Sequence, residues 1–247
     1  MTDKQKDFIY GLRAAMEAVA SGRPVDKILI RKGLKGELFQ EFFSLVRQHG
    51  LPFQFVPSQK LDRITRKNHQ GVVVFLSPVE FCSVENLVPM LFEQGRSPFL
   101  LLLDGLTDVR NFGAILRTAE CAGVDGVVIP AGNFARVGGD TARTSSGALY
   151  RIPVCRAASL KEAVKYLANS GVQTTGVTEK TDRLYYDIDF TGPSALVMGA
   201  EDKGITPSLL EQLDHHARIP LAGQIESLNV SVAAGIMAYE VVRQRRT

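Results

Sequence analysis

Cysteine is scarce in this sequence. Of its 247 residues only Cys82, Cys121 and Cys155 are cysteines, far apart and odd in number. That spacing shows neither a disulfide framework nor a metal knuckle, and it suits a reducing cytoplasm. Long apolar runs are also missing: the stretch Phe99 to Leu103 is far shorter than the roughly 20 residues a membrane-spanning helix needs. The N-terminal MTDKQKDFIYGLRAAMEAVA has no apolar core or cleavage site of a signal peptide. No GxGxxG follows a strand-like run and no GxxxxGK[ST] loop occurs, so common dinucleotide and nucleoside-triphosphate sites lack support. Ser145-Ser146 has no nucleophile elbow around it, and the adjacent His215-His216 lacks the spacing of helical metal ligands. The expectation is a globular protein without a metal and without a membrane anchor.

What is present is ordinary globular composition with an uneven charge. The chain is 45% hydrophobic and 22% charged, with a net charge of +3. Residues 1–78 hold 13 Lys/Arg against 7 Asp/Glu, leaving 16 against 19 for the rest. A basic module joined to a mildly acidic one points to a polyanion at the first part, with a solvated basic surface as the plainer alternative.

The apolar periodicity divides the chain in the same place. In residues 1–78, Leu12, Met16 and Val19 have helical spacing, and so do Leu38, Phe42, Leu45 and Val46. Strands are expected at 27–30, 53–56 and 72–75, and a short helix at 58–64. Together they predict a small α/β module with helices on both sides of a sheet. Residues 79–97, framed and broken by prolines and holding a weak helical stretch, read as a linker. From 98 to 247 the α/β rhythm restarts: strands at 99–104, 124–129, 172–177 and 195–198, and helices at 111–122, 159–170, after Pro207 and at 227–244. A run such as FLLLLD belongs in a parallel sheet buried on both faces.

Ligands of open α/β sheets bind beyond the carboxyl ends of strands. Three such ends are polar and glycine-bearing: DGLTDVRNFGAILRTAE (104–120), MGAEDKG (198–204) and IPLAGQIESLNVS (219–231). Each, taken singly, has a plain structural explanation. Asn111, Asp104 or Asp108 could cap the first helix, Glu201 could be a solvated turn residue, and Ser227 or Asn229 could cap the last helix.

In order and spacing the three loops resemble the three motifs of the SpoU (TrmH-type) RNA ribose methyltransferases. Asn111 and Arg117 match the first, Gly199, Glu201 and Gly204 the second, and Ile219, Pro220, Ser227, Leu228 and Asn229 the third. At the front, IYGLRAAMEAV (9–19) and NHQGVVV (68–74) resemble the RNA-binding module of the 23S rRNA guanosine methyltransferases of this family. Tyr150 departs from the pattern, standing where many relatives carry an acidic residue, and GNFARVGGDTARTSSGA also differs in detail.

The resemblance implies a deep trefoil-knot catalytic domain with a parallel sheet, a smaller ribosomal-protein-like domain before it, and a homodimer through the C-terminal domain. It implies S-adenosyl-L-methionine as cofactor, held by Met198, Gly199, Gly204, Ile219 and Leu228. The reaction implied is 2′-O-methylation of a guanosine in large-subunit rRNA, in the cytoplasm. The same chemistry on tRNA, a resistance-type methyltransferase and a non-catalytic RNA-binding protein that keeps the fold are the alternatives. Asn111, Arg117, Glu201, Ser227 and Asn229 are the implied catalytic set, with Arg117 as the charged group for Glu201 to pair with. A guanidinium is a very weak acid that keeps its proton at ordinary pH, so an arginine at 117 is better suited to grip a phosphate and stabilise an alkoxide than to act as a base. Lys60, Arg63, Arg66, Lys67 and His69 form the expected RNA-binding cluster.

Overall fold

A computed structural model describes residues 8–246. The first seven residues of the stretch read for a targeting signal lie outside the described residues. The chain divides into two compact units, residues 1–80 with 136–139, and residues 81–135 with 140–247.

The first unit is built on a four-stranded sheet of order β1-β4-β2-β3. Its strands are β1 (Phe8–Tyr10), β2 (Val25–Arg31), β3 (Phe53–Val56) and β4 (Val72–Leu76). Strand side chains alternate between faces, and here both faces are apolar. Ile28, Ile30, Val72 and Val74 face α1 (Leu12–Ala20) and α2 (Glu37–Gln48). Leu29, Val73 and Phe75 face Leu61 of the short α3 (Ser58–Asp62). Helices therefore lie on both sides of the sheet, as the periodicity predicts.

The two front stretches that carry the family resemblance are neighbours in this unit. Tyr10 pairs with Val73 across β1 and β4. Gly11, at φ +90°, starts α1 without a side-chain cap of its own, and Gln70 Oε1 accepts the Leu12 N–H at 3.0 Å instead.

The second unit holds a six-stranded sheet of order β10-β8-β9-β5-β6-β7, every pairing parallel. Its strands are β5 (Phe99–Leu103), β6 (Gly126–Pro130), β7 (Val154–Ala157), β8 (Gln173–Val177), β9 (Ser194–Met198) and β10 (His215–Ala217). β5 is central and buried along its whole length. Leu100 and Leu102 join a core cluster with α4 (Val84–Glu93) and α7 (Leu160–Asn169). The intervening Leu101 and Leu103 point to the other face. The remaining helices are α5 (Val109–Cys121), α6 (Gly139–Thr144), α8 (Pro207–Leu210) and α9 (Val230–Arg245), of which α5 and α9 pack together.

Residues 79–97 are not connecting chain, contrary to the linker expected there. They fold as α4, capped by the Ser83 side chain, with Val84, Leu87, Val88 and Leu91 buried in the core of the second unit. Pro89 inside the helix has no N–H to give to the carbonyl four residues back. The Tyr166 hydroxyl donates to that Glu85 carbonyl at 3.4 Å. The expectation of unpaired cysteines is also corrected: Cys82 and Cys155 form a disulfide, leaving only Cys121 free. Backbone pairing brings them together, since Cys82 N–H donates to Val154 O and Arg156 N–H to Cys82 O. A sequence spacing of 73 gives no hint of that pairing.

Candidate functional site

The three strand-end loops converge in the second unit. After β5, Asp104 turns its carboxylate to the Thr206 N–H at 2.7 Å. Asp108 caps α5, accepting from the N–H groups of Arg110 and Asn111 at 2.6 and 3.2 Å. Of the three candidate caps, Asp108 is therefore the one used, and the Asn111 side chain is released for another task. Its Oδ1 accepts from Asn229 Nδ2 at 3.1 Å.

The same Asn229 amide donates to Glu201 Oε1 at 2.5 Å. Its own Oδ1 caps α9 by accepting from the Ser231 N–H at 2.9 Å. One side chain thus ties the third loop to the first and second while starting the last helix. Glu201 also lies 3.5 Å from the Val230 N–H. The expected pairing of Glu201 with Arg117 is not what the structure contains: asparagine and backbone groups serve the carboxylate instead. Six residues along a helix turn Arg117 about 120° away from Asn111 and carry it about 9 Å along the axis. Arg117 is exposed on α5, in none of the ion pairs or hydrogen bonds among the described residues.

Beside this network lies a cavity of about 360 Å³. Met198, Gly199, Gly204, Ile219 and Leu228 all line it, and so do Glu201 and Ser227. Gly199 is required by packing: a Cβ there would run into the backbone of Gly204 and Ile205. Gly204 has φ +65°, the left-handed region that favours glycine. The wall mixes apolar Met198, Ile219, Leu221 and Leu228 with the carboxylates of Glu179, Glu201, Asp202 and Glu226 and the ammonium groups of Lys180 and Lys203.

Sequence reading missed one wall of this cavity, Val177-Thr178-Glu179-Lys180, which follows β8. A signal for it existed. β8 ends in the same polar manner as the three loops that were singled out, and it is a parallel strand of the same sheet.

A close approach supports the first loop from behind. Gly113 of α5 packs so tightly on Thr144 of α6 that a Cβ would overlap it. Thr144 Oγ1 in turn donates to Val109 O at 3.3 Å. Tyr150, the position that departs from the family pattern, lies in a short 3-10 turn and is 60% exposed. Among the described residues no three His, Cys, Asp or Glu side chains gather as metal ligands, and no helix is long and apolar enough to cross a membrane.

In the first unit, Lys60, Arg63, Arg66 and Lys67 are exposed on and after α3. Arg63 and Arg66 line an open hollow with Gln59, Asp62, Ile64 and Thr65. Lys67 Nζ stands 6.0 Å from the Tyr10 ring centroid, a cation–π arrangement. His69 differs from these four. Its side chain is 12% exposed, Nε2 meets Asp62 Oδ1 at 3.0 Å and Nδ1 accepts from the Gly71 N–H at 3.0 Å. That fastening uses both ring nitrogens, and the His69 hydrogen bond holds the Asp62 carboxyl below its ordinary value.

The comparisons with known proteins fall on these same two units. The sequence pattern of the SpoU rRNA methylase family matches residues 98–239, and that of RNA 2′-O ribose methyltransferase substrate binding matches residues 8–82. A Staphylococcus saprophyticus protein named as a TrmH family tRNA/rRNA methyltransferase is 35% identical over 96% of this chain and 95% of its own. The AdoMet-bound rRNA methyltransferase of Sinorhizobium meliloti is 26% identical, with a TM-score of 0.61 over 96% of this chain and 86% of its own. The TrmH/SpoU tRNA-modifying enzyme of A. aeolicus is 28% identical with a TM-score of 0.56, but it covers only 66% of this chain and 84% of its own.

Proposed function

The chain belongs to the SpoU rRNA methylase family, and from that premise we propose that it methylates the 2′-hydroxyl of a guanosine ribose in 23S rRNA. The observation that carries this reading is the joining of the three loops through Asn229, with Glu201 belonging both to that network and to the cavity wall. The protein acts in the cytoplasm as a homodimer. Its catalytic domain is the trefoil-knotted form, and its N-terminal unit is the ribosomal-protein-like module that holds the RNA. Val232 and Tyr239, half-exposed on α9, support a copy interface on the C-terminal domain.

The cavity suits S-adenosyl-L-methionine on its own geometry. Backbone reaches the wall at Gly199 and Gly204, apolar Met198, Ile219 and Leu228 suit an adenine face, and four carboxylates with two lysines suit a ligand that carries both cationic groups and a carboxylate. When bound, this cofactor supplies an electrophilic methyl group on a positively charged sulfur. Ser227 orders the pocket from the third loop, and the Asn111–Asn229–Glu201 network fixes the loops in register. Such alignment can contribute several kcal/mol to the rate. Arg117, without a partner among the described residues, grips the target phosphate and stabilises the emerging alkoxide, while a substrate phosphate or a water accepts the proton.

The rRNA assignment draws support from the front unit, which the substrate-binding pattern covers and which makes up about a third of the chain. The tRNA-modifying neighbour leaves about a third of this chain unmatched. Incubation with labelled S-adenosylmethionine and unmodified 23S rRNA or tRNA, followed by mapping of 2′-O-methylated nucleotides, tests the proposal. We expect label at a guanosine of 23S rRNA. Label confined to tRNA would replace the substrate, and no label in any RNA would leave a binding protein.

A further inference from the structure

Four phenylalanines of the N-terminal unit touch one another at its surface. Phe39 and Phe43, one turn apart on α2, stack with ring centroids 5.6 Å apart. Phe43 meets Phe53 edge-on at 5.1 Å and Phe55 at 5.8 Å, and Phe53 lies 5.7 Å from Phe55. Phe39 and Phe43 lie partly buried against the core of this unit, and the other two rings stand further out. Phe53 and Phe55 each remain 41% exposed. They stand two residues apart on β3, hence on one face, and β3 is an edge strand of its sheet. Isolated apolar surface residues are common, but four contiguous rings on a basic module call for an occupant.

The charges around the rings select one. At 100° per residue, Phe39, Phe43 and Arg47 form one stripe of α2. Glu37 and Glu41, each two residues from a phenylalanine, lie about 160° away on the opposite flank. Lys35 precedes the helix and Lys32 follows the end of β2, while Arg31, paired with Val56 and on the Leu29 side of the strand, points to the other face of the sheet. Arg47 thus shares the stripe of the rings, with Lys35 at the head of the same helix, while the acids of the helix turn away. A second copy of the chain seated isologously here would bring like charges together. An unpaired RNA strand satisfies both parts, with its bases on the rings and its phosphates on the cations.

We propose that Phe39, Phe43, Phe53 and Phe55 form a stacking platform for unpaired bases of an RNA strand. It lies on the opposite face of the sheet from α3, and so is separate from the Lys60–Lys67 cluster. This inference rests on the RNA-substrate reading and adds to it the form in which RNA is held: single-stranded and stacked. No remaining charge contact is asked to supply the preference for unpaired bases.

Binding of fluorescein-labelled oligouridine, and of its duplex with oligoadenosine, to the full-length protein by anisotropy tests it. Phe53→Leu and Phe55→Leu keep apolar bulk and remove the ring, whereas Phe53→Tyr and Phe55→Tyr keep the ring. Each Leu variant should bind the single strand about fivefold to a hundredfold more weakly. The Tyr variants should bind like wild type, duplex binding should change little, and the slope of affinity against salt should stay the same because no phosphate contact is removed. Equal single-strand affinity of wild type and Leu variants, with RNA methylation intact, overturns the platform alone. So does a loss of self-association in the Leu variants with RNA affinity unchanged. A wild-type protein that binds neither probe and methylates no RNA overturns the substrate reading itself.

Discussion

Arg117 and Asn229 divide the work of the candidate site in a way that their sequence positions do not reveal. Asn229 is saturated: it caps α9, bonds to Asn111 and bonds to Glu201. Arg117 is exposed on α5 and outside that network. A side chain with no partner among the described residues is available to substrate, and, since Arg117 does not line the cavity, its removal leaves the cofactor cavity intact. Arg117→Ala should therefore abolish methyl transfer while largely sparing cofactor affinity, as read by label transfer to RNA beside calorimetric titration with S-adenosylmethionine. Equal loss of both would contradict the role. The polar residues of the three loops were legible because their order and spacing form a pattern. Which of Asn111, Asp104 and Asp108 caps α5 was not, because all three can accept from a free N–H. The partner of Glu201 was not legible either, since it depends on side-chain reach across 28 residues of chain.

At the level of elements, the sequence showed every interior strand and, of the four edge strands, only β3. β5, β4 and β9 are buried nearly throughout, and their apolar runs announce them. The unpredicted strands are β1, β7 and β10, and each is the edge of its sheet. Edge strands are short and half-wet, so β10 reads only as His-His-Ala and carries no periodic signal. α4 showed only as a weak helical stretch, and for another reason: Pro89 suggests a break, and the distant Tyr166 hydroxyl gives the Glu85 carbonyl a donor in its place. On α9, Glu240 is buried beneath Arg243 and Gln244, accepting at 2.7 to 2.9 Å. The Arg243 hydrogen bonds, foremost, hold its carboxyl below the ordinary 4.5. A depressed folded value means that this pairing stabilises fully above about pH 4.5, and its contribution is lost as pH falls through the folded value. Thermal unfolding followed from pH 6 to pH 3, on the order of one point per half unit, should thus fall less steeply for Glu240→Gln than for wild type. Parallel profiles would count against it.

For the molecule as a whole, the second unit is closed covalently as well as by packing. The Cys82–Cys155 disulfide spans 73 residues and ties the chain just ahead of α4 to the edge strand β7. A loop of that length corresponds to about 4 kcal/mol of chain entropy removed from the unfolded state. Dithiothreitol should lower the unfolding temperature by roughly 10 °C, as measured by calorimetry, and a Cys82→Ser/Cys155→Ser variant should not respond to it. The cavity wall has its own order along the chain: 177–180, then 198–204, then 219–233. The first unit, by contrast, has its four strands by residue 76 and takes in only 136–139 from later in the chain. Domains generally fold as units, the N-terminal one first during synthesis. A nascent chain emerging from the ribosome therefore acquires its means of holding RNA long before its means of holding a methyl donor. Chains that terminate early would then be binders without chemistry, competing with finished enzyme for the same substrate.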